Sequence, residues 1–95
     1  MRDFPFLIAA RRRRLRVSQT QASDTLTTLA GTEGPRVSRA LVHAWEQGRI
    51  PGAKYLPALS VWLVVPQVEL LGMRLRLVRR RAALRAVHAD EDAPC

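Results

Sequence analysis

Glycines, prolines and serines divide this chain into short segments, and their positions constrain the fold more than any other feature. Ser18 and Ser38 each precede a run whose apolar residues recur at helical spacing, which is typical of helix N-caps. The stretch 30–36 holds two glycines and a proline and predicts a loop, whereas Pro66 suits the first turn of a last helix. No stretch shows sustained alternation of polar and apolar residues, so the sequence predicts an all-α fold.

Five helices are expected between these residues, in a chain of 95 residues that is long enough for one domain. The expected helices are a first that Asp3 caps and that reaches Leu15, a second from Ser18 to about Leu29, a third from Ser38 to Gly48, a fourth from about Ala53 to Leu63, and a fifth that starts at Pro66. We expect residues 1–66 to form the folded domain and residues 67–89 a long C-terminal helix. Residues 90–95 are predicted to be an acidic flexible tail.

The charge of the chain indicates a polyanionic partner. It has 16 basic and 8 acidic residues, a formal net charge of +8, and Lys54 is the only lysine. The planar guanidinium of arginine matches phosphate geometry, so this balance favours nucleic acid. Most of the excess lies in residues 1–16 and 67–89, whereas the middle of the chain is nearly neutral. Each arginine run, 11–14 and 79–81, is either part of such a contact or a solvated helix face.

Several other protein classes are disfavoured by composition. Aromatic residues make up 5% of the chain, too few for an RNA-recognition sheet or a single-strand stacking platform. The only cysteine, Cys95, excludes an internal disulfide and a cysteine-built zinc site, and fits a reducing cytoplasm. No apolar run reaches the roughly 20 residues that span a bilayer, and segment 4–10 is short, with its run of arginines after it, unlike a secretory signal. His43 and His88 lie on different predicted helices, so we expect no enzyme, metal or cofactor.

The order of residues from the second helix onward resembles the XRE-type family of phage repressors and Cro proteins. The resemblance covers about residues 7–71 and is carried by Val17-Ser18-Gln19, by residues 37–51, and by 55–59 with 63–65. Its most specific part is 37–51, where Trp45-Glu46 is followed by Gly48-Arg49 and Pro51. The resemblance implies a five-helix, lambda-repressor-like helix-turn-helix domain. It also implies a cytoplasmic, nucleoid-associated regulator that binds double-stranded DNA, with repression as the simplest mode.

Family members place their third helix in the major groove, and the resemblance implies which residues here would contact DNA. The base-reading positions are Arg39, Ala40, His43 and Ala44. Arg39 can donate two hydrogen bonds to one guanine, and His43, four residues on, shares its helix face. The alternative interpretation is that His43 is a surface histidine with no functional role. The positions implied to hold the sugar-phosphate backbone are Ser18, Gln19, Ser38, Gln47, Arg49 and Lys54.

Other positions in this region are expected to have structural roles. Val42 and Trp45 are predicted to lie in the core. Glu46 is expected to have a structural role, for example pairing with a neighbouring arginine, because a carboxylate that faced DNA would be repelled. Two features depart from the family pattern: relatives have a tight turn where residues 27–36 intervene here, and often a glycine where Arg16 stands.

Arg36 belongs to this inserted segment, 27–36, and two interpretations of it stay open. It either contacts the DNA backbone, since the neighbouring glycines allow a close approach, or it lies in a solvent loop. An additional turn of the second helix, through Leu29, would absorb part of the insertion and let the second and third helices pack together.

The fifth predicted helix is more apolar than one small core requires. A stripe expected to form a dimer interface comprises Val68, Leu71, Leu75, Val78 and Ala82. A second stripe, Leu70, Met73, Leu77, Leu84 and Val87, lies beside it, and the arginines expected on the outside are Arg74, Arg76, Arg79 to Arg81 and Arg85. A homodimer would double the length of DNA that is read. The alternative partner is another protein, as for an antitoxin or adaptor; membrane binding is disfavoured because the helix lacks interfacial aromatic residues.

Overall fold

All regular structure in the part of the chain that the structure describes is helical. The computed structural model describes the backbone of residues 3–92 and the side chains of residues 3–86. In order, the helices are α1 (Phe4–Leu15), α2 (Gln19–Ala30), α3 (Arg39–Glu46), a 3₁₀ turn (Ala53–Tyr55), α4 (Leu56–Leu63) and α5 (Gln67–Asp92). The described residues contain no strand, so the predicted all-α class is confirmed.

The helix α5 extends into the segment that the sequence predicts to be a flexible tail. The helix continues to Asp92, three residues beyond the expected boundary at 89. Residues 93–95, with Cys95, lie outside the described residues, as do the side chains of Val87 and His88. No helix within the described range is both long enough and apolar enough to cross a lipid bilayer.

Serine side chains begin α2 and α3 as the sequence predicts, whereas Asp3 does not cap α1. Ser18 Oγ accepts from the Gln21 backbone N–H at 3.1 Å, and the Gln21 side chain accepts from the Ser18 N–H at 2.8 Å, a complete capping box. Ser38 Oγ accepts from the Leu41 N–H at 3.1 Å. Asp3 occupies the N-cap position without a side-chain hydrogen bond. Pro5 follows in the first turn and has no N–H, so a donor that such a cap uses is missing.

Two helices end at residues with left-handed backbone conformations that are not glycine. Arg16 closes α1 at φ 56°, and Val64 closes α4 at φ 57°. The Val17 N–H then reaches back to the Arg12 carbonyl at 3.1 Å, and the Val65 N–H to the Ser60 carbonyl at 3.1 Å. α1 therefore ends in the usual left-handed cap although Arg16 stands where glycine is common in the XRE-type family. Val64 is the more strained of the two because it is β-branched.

The core lies where α1 to α4 converge, and Trp45 is its largest fully buried side chain. Trp45 packs edge-on against Tyr55, with ring centroids 5.2 Å apart. Val42 is also fully buried, so the predicted structural role of both positions on α3 is confirmed. The remaining apolar residues of the core are Phe4, Ile8, Ala22, Leu26, Val37, Leu56, Ala58, Leu59, Trp62, Leu63 and Leu70.

The residues inserted between α2 and α3 form a closed connection. α2 gains an additional turn that reaches Ala30, as expected. Thr27 joins the two ends of the loop, because its Oγ1 accepts from the Val37 N–H at 2.9 Å and lies 3.0 Å from the Val37 carbonyl oxygen. A Cβ added to Gly34 would lie 2.1 Å from the Ala30 carbonyl oxygen, so only glycine fits this approach of the loop to the end of α2.

One apolar stripe of α5 packs on the body and the other faces solvent. Leu70 is fully buried, and Met73 and Leu77 pack partly buried against the core. The stripe predicted to form a dimer interface is exposed: Val68 at 75%, Leu71 at 42%, Leu75 at 44%, Val78 at 40%, and Ala82. Leu84, which belongs to the same stripe as Leu70 and Leu77, is nevertheless exposed.

Two arginines of α5 do not lie free on the outside as expected. Arg74 Nε donates to the Pro51 carbonyl at 3.0 Å, and Arg81 donates to the Gly48 carbonyl. Both carbonyls belong to the connection that follows α3. The physical reason is that a helix end and its turn leave carbonyl groups without backbone partners, and a long cationic side chain on a neighbouring helix can satisfy them.

The strained backbone at Val64 predicts a stabilising substitution. Val64→Gly should raise the free energy of unfolding by about 1 kcal/mol, because glycine adopts the left-handed conformation without the clash of a β-branched side chain. Little packing is lost, since Val64 is 73% exposed. Urea unfolding of the variant measures the change. Val61→Gly is the matched control, because Val61 is similarly exposed but lies within α4 and should lower stability. Equal effects at the two positions would contradict the prediction.

Candidate nucleic-acid interface

The face of α3 opposite the core carries the four residues predicted to read bases. Arg39, Ala40 and His43 are exposed and Ala44 is half-buried, whereas Val42 and Trp45 point into the core. Arg39 and His43 are four residues apart and therefore occupy adjacent turns of this face. Ala40 and Ala44 add only methyl groups to this face. A surface of this shape can approach the edge of another molecule closely.

Gln19, in the first turn of α2, is held against this exposed face. Its amide nitrogen lies 3.4 Å from His43 Nδ1 and donates to Glu46 Oε2 at 3.4 Å. The cap at Ser18 uses the Gln21 N–H, which leaves the first backbone N–H groups of α2 without intrahelical partners. The structure thus brings Ser18 and Gln19, predicted to hold phosphate, beside His43, which is predicted to read bases.

A charged pair ties α1 to the end of α3 just beneath this surface. Arg12 donates through Nε to Glu46 Oε2 at 3.0 Å and through its terminal nitrogen to Oε1 at 2.9 Å, a two-point contact. The Glu46 side chain is 8% exposed and that of Arg12 is 26% exposed. The hydrogen bond to Glu46 raises the pKa of Arg12 above its ordinary value, and this outweighs partial burial, which lowers it. The expected pairing of Glu46 with an arginine is confirmed.

The residues predicted to hold the DNA backbone after α3 lie along its C-terminal connection. Gln47 ends α3, and its N–H still donates to the helix carbonyls, while Arg49 returns its N–H to the Ala44 carbonyl at 3.0 Å. Both side chains are exposed. Lys54 is also exposed, and its ammonium nitrogen lies 5.2 Å from the centre of the Tyr55 ring. These side chains are thus free to meet an anion beside the end of α3.

The arginines bonded within the fold differ from those around α3. Within the described residues, Arg11, Arg12, Arg74 and Arg81 are bonded to carbonyl or carboxylate groups, with Arg11 donating to the Trp62 carbonyl at 2.8 Å. The arginines on or next to α3, which are Arg36, Arg39 and Arg49, have no such bond and are exposed. The cations nearest the exposed face of α3 are therefore available to a partner.

Three residues that position this surface are not distinguished by the sequence. Arg12 belongs to the run 11–14, whose members look alike, and Thr27 lies in the inserted segment, where nothing in the sequence assigns it a role. Arg74 is one of the arginines that the sequence predicts on the outside of the fifth helix. The only indication in the sequence is that Glu46 is expected to pair with an arginine. The sequence does not indicate which arginine lies close enough to do so.

In comparisons with known proteins, no family model matches the chain, and no curated protein or solved structure shows significant similarity to it. The resemblance to the XRE-type family therefore stays a prediction from the quoted residues.

Loss of the Arg12–Glu46 pair should lower the free energy of unfolding, whereas loss of a neighbouring arginine should not. Arg12→Ala should lower the free energy of unfolding by about 2 kcal/mol, because it leaves a nearly buried carboxylate without its cation. Glu46→Ala should also destabilise, and the double variant should lose about 1 kcal/mol less than the sum. Arg13→Ala, an exposed neighbour, serves as the control and should change stability by less than about 0.5 kcal/mol. Chemical denaturation of the four variants measures the coupling; additive losses would refute it.

Proposed function

We propose that the protein is a sequence-specific regulator of transcription that binds double-stranded DNA, acting as a repressor. The observation that carries the proposal is the exposed face of α3, with Arg39 and His43 next to the N-terminus of α2 and unpaired cations around it. A helix of this kind fits the major groove, where base edges present distinct patterns of donors and acceptors. The excess positive charge supports a polyanionic partner.

In this proposal α2 and α3 act as a helix-turn-helix pair. α3 lies in the groove, and the start of α2 meets the backbone of one strand through Ser18 and Gln19. The contact between the Gln19 amide and His43 supports a constant relation between the two helices. The Arg12–Glu46 pair supports the same relation from the core side.

Specificity and affinity come from different side chains. Arg39 has a guanidinium that can donate two hydrogen bonds to guanine, and Ala40 can contact a thymine methyl group. His43 adds a donor toward a base or a phosphate. Cations after α3, Arg49 and Lys54, together with Gln47 and Ser38, hold the backbone and set the position of the helix along the duplex. The chain needs no cofactor for this activity.

A homodimer formed through α5 completes the proposal. Four branched residues of the stripe, Val68 to Val78, keep at least 40% of their surface exposed, although another stripe of the same helix packs on the core. At its far end the stripe meets a shallow hollow of about 220 Å³ formed with Ile50 of the body. Apolar surface of this extent favours burial against a second copy. Two modules related by a two-fold axis would then read two half-sites.

Repression by occupancy of a promoter is the simplest consequence. A dimer on its operator would exclude other proteins from the same stretch of duplex. We place the protein, in this role, in the cytoplasm with the nucleoid.

Sequence selectivity should depend on Arg39 and not on Lys54. Arg39→Ala should cost about 1–3 kcal/mol on a site selected from a random duplex pool, with a smaller loss on random duplex, because a base contact disappears. Lys54→Ala, the control, should weaken both duplexes about equally, because a phosphate contact carries no sequence information. Fluorescence anisotropy at one fixed salt concentration measures all four losses. Equal losses on both duplexes for Arg39→Ala would rule out its role as a base reader.

Charges introduced into the exposed stripe of α5 should separate a dimer into monomers. Leu71→Glu combined with Leu75→Glu should convert the molecular mass in sedimentation equilibrium from that of a dimer to that of a monomer, because two carboxylates would face their copies in the interface. Leu84→Glu is the control, since Leu84 is exposed on the other stripe and should leave the mass unchanged. A monomeric wild-type protein would contradict the dimer and would favour a different protein as the partner of this stripe.

A further inference from the structure

A polar groove separates α2 from the segment that leads into α3. Its volume is about 520 Å³, and it is open to solvent. Polar residues line it from both sides: Thr20, Asp24 and Thr28 on α2, and Arg36, Ser38 and Arg39 on the opposite wall. The inserted segment contributes Arg36 to the opposite wall, and the start of α3 contributes Ser38 and Arg39.

The wall that carries Arg36 is held in place by its neighbours. Val37, next in the chain, is buried and is bonded through its N–H to Thr27 at 2.9 Å. On the other side, Pro35 restricts the backbone, and Gly34 lies directly against the Ala30 carbonyl. The Gly34 N–H also donates to the Gly31 carbonyl at 3.1 Å, which closes a turn. Arg36 thus projects from an ordered base, so little backbone freedom is lost when it binds an anion.

Two unpaired guanidiniums face the groove from this wall. Within the described residues neither Arg36 nor Arg39 has a hydrogen bond or an ion pair, although Asp24 lines the same groove. The Ser38 hydroxyl accepts from the Leu41 N–H and keeps its own proton free to donate. Asp24 repels an anion from the α2 wall, which favours the rim beside Arg36 and Ser38 as the place for an anion. This is the side of the groove that continues into the exposed face of α3.

We propose that this rim binds a backbone phosphate of duplex DNA and that Arg36 supplies the main contact. The inference rests on the proposed function, because the phosphate belongs to the same duplex whose groove receives α3. It deepens that function by giving the inserted segment a role. The insertion adds a phosphate contact beside the start of α3, and this contact adds affinity without sequence preference.

Removal of Arg36 tests the proposal on a random duplex of about 20 base pairs, where binding depends on backbone contacts. Arg36→Ala should weaken binding about fivefold, and the slope of log K against log salt should fall by about 0.9, the value for one phosphate contact. Arg36→Lys should retain most of the slope, because it keeps the charge. The loss should be of similar size on a selected site, unlike that of a base-reading residue.

Arg14→Ala is the matched control, because it removes the same charge from the α1–α4 side, beside Leu63 and Val64. Circular dichroism of each variant verifies that the helices are retained. Equal effects of Arg36→Ala and Arg14→Ala on affinity and slope would overturn the Arg36 contact and leave the proposed function intact. A wild-type protein that binds no duplex even at low salt would overturn both proposals.

Discussion

The ion pair between Arg12 and Glu46 is the interaction on which the arrangement of the first three helices depends. Arg12 comes from α1 and Glu46 from the last turn of α3, and Gln19 joins them from the start of α2. A nearly buried carboxylate is costly unless its cation is in contact, so the pair favours the arrangement of the helices that brings these groups together. The polar contacts at one end and Trp45 in the core together orient the exposed face of α3.

Hydrogen bonding within the fold distinguishes structural arginines from those available to a partner. A guanidinium bonded to a carbonyl, such as that of Arg11 on Trp62 or Arg74 on Pro51, satisfies groups left open by helix ends and ties distant elements together. The guanidiniums next to α3 have no such bond. The positive charges that contribute to the net charge of +8 therefore do not all have the same role. Part of it stabilises the fold, and the part that surrounds α3 is free to attract a polyanion.

The long helix α5 shows how one element serves two surfaces. Leu70 and Leu77 pack on the body, and Arg74 and Arg81 bond to the connection after α3. Because that connection also carries Arg49, the position of α5 is linked to the surroundings of the candidate interface. The exposed stripe centred on Leu75 lies on another side of the helix. Association through this stripe would therefore leave the packing of Leu70 and Leu77 on the body in place.

The number of helices and most of their starts follow from the sequence alone, because caps and breakers act over a few residues. Ser18 and Ser38 each satisfy a backbone N–H three positions ahead, and helical spacing alone places Trp45 in the core. Much of the predicted interface follows in the same way, since one face of α3 must point outward once Trp45 points inward.

Only the tertiary structure decided which residues support that surface. Four adjacent arginines precede Glu46 by more than thirty residues, and the packing of α1 on α3 selects Arg12 as the partner. It also decided that Thr27 closes the inserted segment at Val37, and which stripe of α5 is buried. The physical reason is the same in each case. These contacts join residues far apart in the chain, and their energies depend on distances that local sequence preferences do not determine.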